Sequence, residues 1–166
     1  LLDLDDGTRL ALHMPRLFGG AWRVRDASEA RDVTGALGPD ALGLDADELR
    51  DLLADSRAAL KSALMDQERL AGLGNELADE VCWQVRVHPA TRCADVADPT
   101  WGELADALGH VLDVGVDVGQ VPRRDEFLND VREDDDPQCP RCGAPLERDQ
   151  VAGRTTWWCP EEQPEP

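Results

Sequence analysis

The sequence has few basic residues and almost no lysine. Arginine and lysine together number 17 against 35 acidic residues, the formal net charge is -18, and Lys61 is the sole lysine. Domains that bind nucleic acid are usually basic, because contacts to phosphate supply much of their affinity. The composition therefore argues against the simplest kind of nucleic-acid binder. It leaves two interpretations of the charge, a solvated acidic surface or adaptation to a high-salt cytoplasm.

Long hydrophobic runs are also missing. No apolar run approaches the ~20 residues that cross a bilayer, and the first four residues are too short for a secretory signal, so we expect no membrane partner. Cysteines number five, and Cys139, Cys142 and Cys159 cluster near the C-terminus. An odd count with metal-like spacing favours a reducing cytoplasm over a disulfide framework. We expect a cytoplasmic monomer.

The N-terminal segment is typical of β structure. Apolar residues alternate with polar ones on both sides of residues 5–7, Asp-Asp-Gly, which predicts a hairpin. A third strand is expected through Trp22 and Val24, and residues 26–45 are interpreted as a loop. With 42% apolar residues in 166, the chain is long enough for one domain or two small ones.

The middle of the chain is typical of helices. Asp45 is expected to cap a helix that ends near Leu53, and Ser56 to cap the next one. Further helices are predicted after Asn75 and from Pro99, each with an apolar stripe at helical spacing. After Val131 an acidic linker leads to a small Cys-rich unit. The resulting fold class is α+β, with segments at 1–44, 45–131 and 132–166.

Residues 64–80 predict two helices joined by a tight Gly-x-Gly-Asn corner. Gly72 and Gly74 allow a sharp turn that exposes backbone N–H groups, and Asn75 lies at the start of the second helix. Such a corner favours an anion, and a DNA phosphate is a natural candidate. Taken alone, the corner is explained more simply by an ordinary N-cap at Asn75.

The flanking residues resemble the helix–two-turns–helix element of the formamidopyrimidine-DNA glycosylase and endonuclease VIII family. The shared motifs are the run 60–67, Ala-Gly-Leu-Gly-Asn at 71–75, Ala-Asp-Glu at 78–80 and His-Pro at 88–89. The resemblance implies that Asn75 and the amides near Gly72 and Gly74 hold a phosphate beside the lesion, while Lys61 adds charge. We expect Gln67, Asp79 and Glu80 to have structural roles, with side-chain hydrogen bonds that hold the two helices at their angle.

The same resemblance assigns the three segments. It implies that residues 1–44 are the C-terminal part of a truncated β-sandwich catalytic domain. Residues 45–131 correspond to the DNA-binding domain, and residues 132–166 to a zinc-ribbon-like finger with an acidic linker and a polar tail.

The Cys-rich unit carries a modified zinc pattern. Cys139-Pro-Arg-Cys142 is followed by Cys159-Pro-Glu-Glu162, and two Cys-x-x-Cys pairs would be a strong signal for tetrahedral zinc. Here Glu162 stands where the family has its fourth cysteine. Three thiolates and a carboxylate can hold zinc, although less tightly than four thiolates. The alternative is a ribbon without metal, held by its apolar residues.

Two further motifs resemble DNA contacts of the family. Residues 151–157 are similar to its ribbon hairpin, which implies that Arg154 is a second phosphate contact, a role that suits the arginine fork. Residues 14–19 are similar to a loop in which Arg16 would read the base opposite the lesion and Phe18 would wedge into the stack. Met14 and Leu17 depart from that loop, and Phe18 in the core explains the segment equally well.

No residue of this sequence is assigned to catalysis. The family's chemistry uses an N-terminal proline amine followed by a glutamate, whereas this sequence begins Leu1-Leu2. We therefore expect the DNA-binding portion of a base-excision-repair glycosylase and AP lyase acting on oxidised bases. Its partner would be double-stranded DNA with a damaged base or abasic site. The alternatives are a non-catalytic damaged-DNA-binding protein and a decayed remnant of the family.

Overall fold

Helices of 4 to 19 residues and two small hairpins make up the described part of the chain, in agreement with the predicted α+β class. The computed structural model describes residues 1–13, 20–123 and 126–166, in two units, Leu1–Gly35 and Ala36–Pro166. The helices are α1 (Ala27–Thr34), α2 (Ala46–Leu53), α3 (Leu60–Leu64), α4 (Asn75–Gln84), α5 (Thr100–Val118) and α6 (Leu128–Val131). The strands are β1 (Leu2–Asp3), β2 (Arg9–Leu10), β3 (Glu147–Val151) and β4 (Arg154–Trp158).

The first unit contains the predicted hairpin. β1 and β2 are antiparallel, with Leu2 opposite Leu10, and Gly7 N–H donates to the Leu4 carbonyl across the turn at 3.0 Å. Each strand has only two residues, and Leu2 and Leu10 are 50% and 48% exposed. Trp22, expected in a third strand, belongs to no strand among the described residues.

Helix α1 lies where the sequence was interpreted as a loop. Asp26 Oδ1 accepts the backbone N–H groups of Ser28 and Glu29 at 2.9 and 3.0 Å, which caps the helix. The helix ends at Gly35, whose φ of 77° is accessible mainly to glycine. No residue of α1 is buried. The bounds of this helix are therefore set by its capping residues, without a buried apolar stripe.

In the second unit the caps confirm most of the helical predictions. Asp45 and Glu48 form a reciprocal capping box at the start of α2. Helix α5 starts directly after Pro99. Ser56, by contrast, does not cap α3: its Oγ accepts the N–H of Ala58, and the helix begins only at Leu60.

Two buried clusters lie in this unit. The larger one joins apolar residues of α2, α3, α4 and α5 with the corner between α3 and α4. The smaller cluster lies between α4, α6 and the Cys-rich unit; its buried members are Trp83, Leu128, Cys139, Leu146 and Cys159. Helix α4 contributes to both clusters, so it connects the helical region to the Cys-rich unit. No helix among the described residues is long and apolar enough to cross a membrane.

The Cys-rich unit is built on the hairpin of β3 and β4. Five residue pairs are in antiparallel register, from Glu147 opposite Trp158 to Val151 opposite Arg154. The two-residue turn consists of Ala152 and Gly153, with φ values of 49° and 75°. Two successive positive φ values are typical of the turn that matches the twist of a hairpin.

Candidate nucleic-acid interface and metal centre

The corner between α3 and α4 is held by Gln67. Its Oε1 accepts the N–H of Gly72 at 3.0 Å, and its Nε2 donates to the carbonyls of Leu73 and Met65 at 2.9 and 3.1 Å. Gly72 has a φ of 109°, which a residue with a side chain would adopt only under strain. Gly72 therefore shapes the turn, while its own amide is used within the protein.

The N-terminus of α4 has no side-chain cap. Gly74 is the N-cap residue, with an extended backbone, and Asn75 is the first residue of the helix. An N-cap role for Asn75, the simpler explanation of the corner, is therefore not what the structure contains. Among the described residues, the buried Oδ1 of Asn75 has no hydrogen-bond partner. The first-turn amides of the helix are left for a partner outside it.

Neither the backbone conformation nor the packing at position 74 requires a glycine. Its φ of -105° and ψ of 179° are open to any residue, and a Cβ built on it would meet nothing within 4 Å. The space in front of this backbone is therefore open. A glycine at such a place allows another molecule to approach the main chain closely.

Arg154 is the first residue of β4, directly after the hairpin turn. It is exposed, and it lines a cleft of about 180 Å³ with Ser62 and Met65 of the α3 region and with the turn residue Ala152. The carbonyl of Met65 also accepts from Gln67, which holds the corner. Met65 is thus a shared neighbour of the arginine and of the side chain that shapes the Gly-x-Gly-Asn turn.

Lys61 is completely buried, which corrects the expectation that it adds charge to a phosphate-binding surface. Its Nζ lies 2.6 Å from Asp79 Oδ1 and donates to Thr156 Oγ1 and the Thr155 carbonyl at 2.7 and 2.8 Å. Burial lowers the pKa of Lys61, against the opposing attraction of Asp79. Through the ion pair with Asp79 and the hydrogen bonds to Thr155 and Thr156, Lys61 joins α3, α4 and β4.

Asp79 has further partners in the Cys-rich unit and directly after α6. Its Oδ2 accepts the N–H of Trp157 at 3.3 Å and lies 3.5 Å from Nη1 of Arg132. Burial raises the pKa of Asp79 to about 6, although Lys61 and Arg132 lower it. The expected structural role of Asp79 thus extends beyond the two helices of the corner.

Glu80 connects α4 to α6. Its Oε2 accepts the N–H of Asn129 at 3.0 Å, and its Oε1 accepts from Gln84 Nε2 at 2.9 Å. Burial raises the pKa of Glu80 to about 7, because these two hydrogen bonds offset only part of the desolvation. Glu80 is therefore a structural group of the interior.

Three cysteines form the candidate metal centre. The Sγ atoms of Cys139, Cys142 and Cys159 lie within 4.8 Å of one another, and those of Cys142 and Cys159 are 3.5 Å apart. Sulfurs that share a tetrahedral zinc lie about 3.8 Å apart at the usual bond length of ~2.3 Å. Burial raises the pKa of Cys159 to about 12, and a bound cation would offset this cost of forming the thiolate. The three thiols fit a zinc ion.

Glu162, the expected fourth ligand, contacts two arginines and lies outside the group of three thiols. Its Oε2 is 2.7 Å from Nε of Arg86 and 4.0 Å from Nη1 of Arg141. No carboxylate of the described residues lies with the three Sγ atoms in the candidate ligand group. Two predicted DNA contacts, Arg16 and Phe18, lie outside the described residues.

Some residues of the site had no signal in the sequence. Gln163 is fully buried, accepts the N–H of Cys159 at 3.0 Å and donates to the Val87 carbonyl at 2.9 Å. Arg141 covers the Trp83 ring at 3.6 Å and donates to the Trp83 carbonyl at 2.7 Å. Neither residue is part of a periodic pattern in the sequence. Their contacts with Trp83 and Val87 join segments that are far apart along the chain.

Two family models match this chain. The model described as the formamidopyrimidine-DNA glycosylase H2TH domain matches residues 37–126, and the one described as the zinc finger found in FPG and IleRS matches residues 138–161. The first match contains the corner, and the second contains Cys139, Cys142 and Cys159. The zinc-finger match and the cluster of three thiols both support zinc as the ligand of this unit.

Known proteins show the same relationship over most of the chain. The formamidopyrimidine-DNA glycosylase of Chloroflexus aurantiacus is 33% identical over 96% of this chain and 62% of its own length. That of Thermomicrobium roseum is 37% identical over 87% of this chain and 55% of its own length. The chain thus spans less than two thirds of either relative.

Solved structures give a matching result. A complex of Lactococcus lactis Fpg with DNA that contains Fapy-dG has a TM-score of 0.69 and 28% identity, and covers 78% of this chain and 51% of that protein. A complex of the same enzyme with abasic-site DNA has the same four values. Because the H2TH-domain match covers more than half of its residues, this chain belongs to the formamidopyrimidine-DNA glycosylase family.

Proposed function

We propose that this chain is the DNA-binding portion of a base-excision-repair DNA glycosylase and AP lyase that acts on oxidised bases. Asn75 and Arg154 hold a phosphate that flanks the lesion in double-stranded DNA. The observation that carries this proposal is the uncapped start of α4, with open space in front of Gly74, together with Arg154, which lines a cleft with Ser62 and Met65 of the preceding α3 region.

The local chemistry supports an anion at this place. First-turn amides and the helix dipole attract negative charge, and an arginine adds a charged fork that suits phosphate. Gly74 leaves room for a phosphate to approach the backbone. The carboxylate of Glu76, also in the first turn, lies 3.8 Å from Nη2 of Arg123, which offsets part of its repulsion.

Lys61 contributes to this site as a positioning residue. It binds the carbonyl of Thr155, the neighbour of Arg154, and pairs with Asp79, one turn along α4 from Asn75. The two proposed phosphate contacts are therefore linked through one buried ammonium group. Such a link keeps their spacing constant, which a bidentate grip on one phosphate requires.

The net charge of -18 makes the salt dependence of binding informative. A chain with few cations releases few counterions when it binds DNA, so we expect affinity to fall only gently with added salt. Arg154→Ala should weaken binding to a duplex with a tetrahydrofuran abasic-site analogue about tenfold and reduce the salt slope by about one. Asn75→Ala should weaken it similarly with little change of slope, because an amide donates a hydrogen bond and carries no charge.

The matched control is Arg148→Ala, which removes an exposed arginine from the other strand of the same hairpin. Arg148 does not line the cleft beside the corner, so this variant should bind nearly as the parent does. Equal losses in all three variants, or none in Arg154→Ala and Asn75→Ala, would reject the assignment of the phosphate contacts. Fluorescence anisotropy at several salt concentrations measures both affinity and slope.

A further inference from the structure

We propose that this chain binds zinc through three thiolates only, and that Glu162 is a docking residue that fastens the Cys-rich unit to the end of α4. The proposal depends on zinc as the ligand of this unit and is independent of the proposed phosphate contacts. It concerns the one position at which the chain departs from the pattern of two Cys-x-x-Cys pairs.

The first argument is the place of the carboxylate. Glu162 Oε2 is committed to Arg86 Nε at 2.7 Å, and the Glu162 side chain is only 17% exposed. The contact is short and charge-assisted, and it is screened on one side because the Arg86 side chain is 64% exposed. To ligate zinc, Glu162 would have to leave this partner and turn towards the thiols, at the cost of that ion pair.

The second argument is what the arginines do at the end of α4. The last carbonyls of a helix have no partner within it and carry partial negative charge. Arg141, between the ligands Cys139 and Cys142, donates from Nη1 to the Trp83 carbonyl at 2.7 Å and from Nη2 to the Gln84 carbonyl at 3.2 Å. The cysteine loop is thereby attached to the C-terminus of α4 by one guanidinium group.

The third argument is that this attachment needs an anion. Arg86 follows the end of α4 with a φ of 57°, and its guanidinium and that of Arg141 both face Glu162. Two guanidinium groups close together repel each other unless an acid lies between them. A cysteine at position 162 would provide a ligand but would leave Arg86 and Arg141 without this carboxylate.

The side chain next to Glu162 is also occupied. Gln163, the next residue, binds the N–H of Cys159 and the Val87 carbonyl with the two ends of its amide. Within the described part of the chain, the candidate ligand group consists of the three cysteines, with no His, Asp or Glu side chain in it. The protein therefore supplies three soft ligands, a set that still selects zinc over the harder divalent cations.

The test compares three substitutions in the full chain. Glu162→Gln keeps the shape of the side chain and removes its charge, Glu162→Cys restores the family's fourth thiol, and Cys142→Ser removes a ligand. Zinc affinity is measured by competition with a chromophoric chelator. The Co²⁺-loaded forms report the number of thiolates through the intensity of the sulfur-to-metal charge-transfer absorption.

The proposal predicts that Glu162→Gln changes zinc affinity by less than about threefold and leaves the Co²⁺ spectrum unchanged. Glu162→Gln and Arg86→Gln should each lower the melting temperature by about 3 °C. The double variant should melt at nearly the same temperature as either single variant, because both substitutions remove the same contact between Glu162 and Arg86. Glu162→Cys should bind zinc at least about tenfold more tightly than the parent chain and should increase the charge-transfer absorption of the Co²⁺ form. Cys142→Ser should bind zinc at least about tenfold more weakly than the parent chain.

Three results would overturn the proposal. If Glu162→Gln weakens zinc about tenfold and alters the Co²⁺ bands, Glu162 is a ligand. If it leaves the melting temperature unchanged, Glu162 has no docking role. If the parent chain binds no zinc at saturating concentration, the three-thiolate site itself is rejected. None of these results bears on whether Asn75 and Arg154 hold DNA.

Discussion

Lys61 and Asp79 form a fully buried ion pair, with 2.6 Å between Nζ and Oδ1 and neither side chain exposed. The pair joins α3 to α4, and Thr156 extends it into the Cys-rich unit. Buried ion pairs are often neutral in net stability, but removing one partner leaves an uncompensated charge in the interior. The informative quantity is therefore the unfolding free energy that is lost when one partner of the pair is removed.

Lys61→Met should destabilise the chain by about 3 kcal/mol, because Asp79 would keep only Arg132 as a charged partner. Urea unfolding followed by circular dichroism gives the difference in unfolding free energy. The matched control is Arg50→Met, which breaks the solvent-exposed ion pair of Arg50 with Asp98. Pairs of that kind contribute about 1 kcal/mol or less, so equal losses in the two variants would contradict the interior role of Lys61.

Glu80 should make the unfolding free energy fall as the pH rises. Its folded pKa of about 7 lies above the ordinary 4.5, so the folded state holds a proton that the unfolded chain releases. The stabilisation is complete below pH 4.5 and is lost as the pH rises through about 7. The loss is on the order of 3 kcal/mol, since each pKa unit corresponds to about 1.4 kcal/mol.

Glu80→Gln isolates this contribution. The amide can accept the N–H of Asn129 but does not titrate, so the variant should be more stable than the parent at pH 8 and should lose less stability between pH 5 and 8. Asp79, whose folded pKa is also raised, leaves a residual slope of the same sign. Parallel curves for parent and variant would show that Glu80 does not carry the effect.

Gly38 has no room for a side chain. A Cβ at this position would overlap the backbone of Arg69. The N–H of Gly38 donates to the Gln67 carbonyl at 2.8 Å, which holds the loop against this backbone. Gly38→Ala should therefore destabilise the chain by about 2 kcal/mol, because backbone cannot move aside as a flexible side chain does. Thermal unfolding measures this loss.

Gly109→Ala provides the comparison for Gly38→Ala. Gly109 lies inside α5, and nothing is within 4 Å of its built Cβ. This variant should be more stable than the parent by up to about 1 kcal/mol, as expected for glycine to alanine in a helix. A stabilised Gly38→Ala variant would mean that the loop before α2 does not pack against Arg69 as described.

Local signals in the sequence predicted the local structure well. The helix cap at Asp45 and the N-terminal hairpin involve residues at most a few positions apart, and both predictions are confirmed. Helix α1 was missed because its signal is a single aspartate cap without a buried stripe. The family resemblance, which depended on a run of adjacent residues, is confirmed by the match over residues 37–126.

Long-range relationships could not be predicted in the same way. Lys61 was expected to add charge to the phosphate site because the family resemblance implies a lysine in the preceding helix. Its partners Asp79 and Thr156 lie on two other elements, one of them 95 positions away. Glu162 was expected to be a ligand from its spacing and from the family resemblance, whereas its contact with Arg86 depends on how α4 ends beside the Cys-rich unit. Both differences come from packing between distant segments.

The burial of Lys61 leaves the described surface of the folded chain with no ε-amine. A lysine-specific protease can therefore cut this sequence at only one peptide bond, and that bond is protected while α3, α4 and β4 remain together. Cleavage there requires the buried ammonium group to leave its three partners. The appearance of two fragments would thus report opening of the interior directly, without an added label.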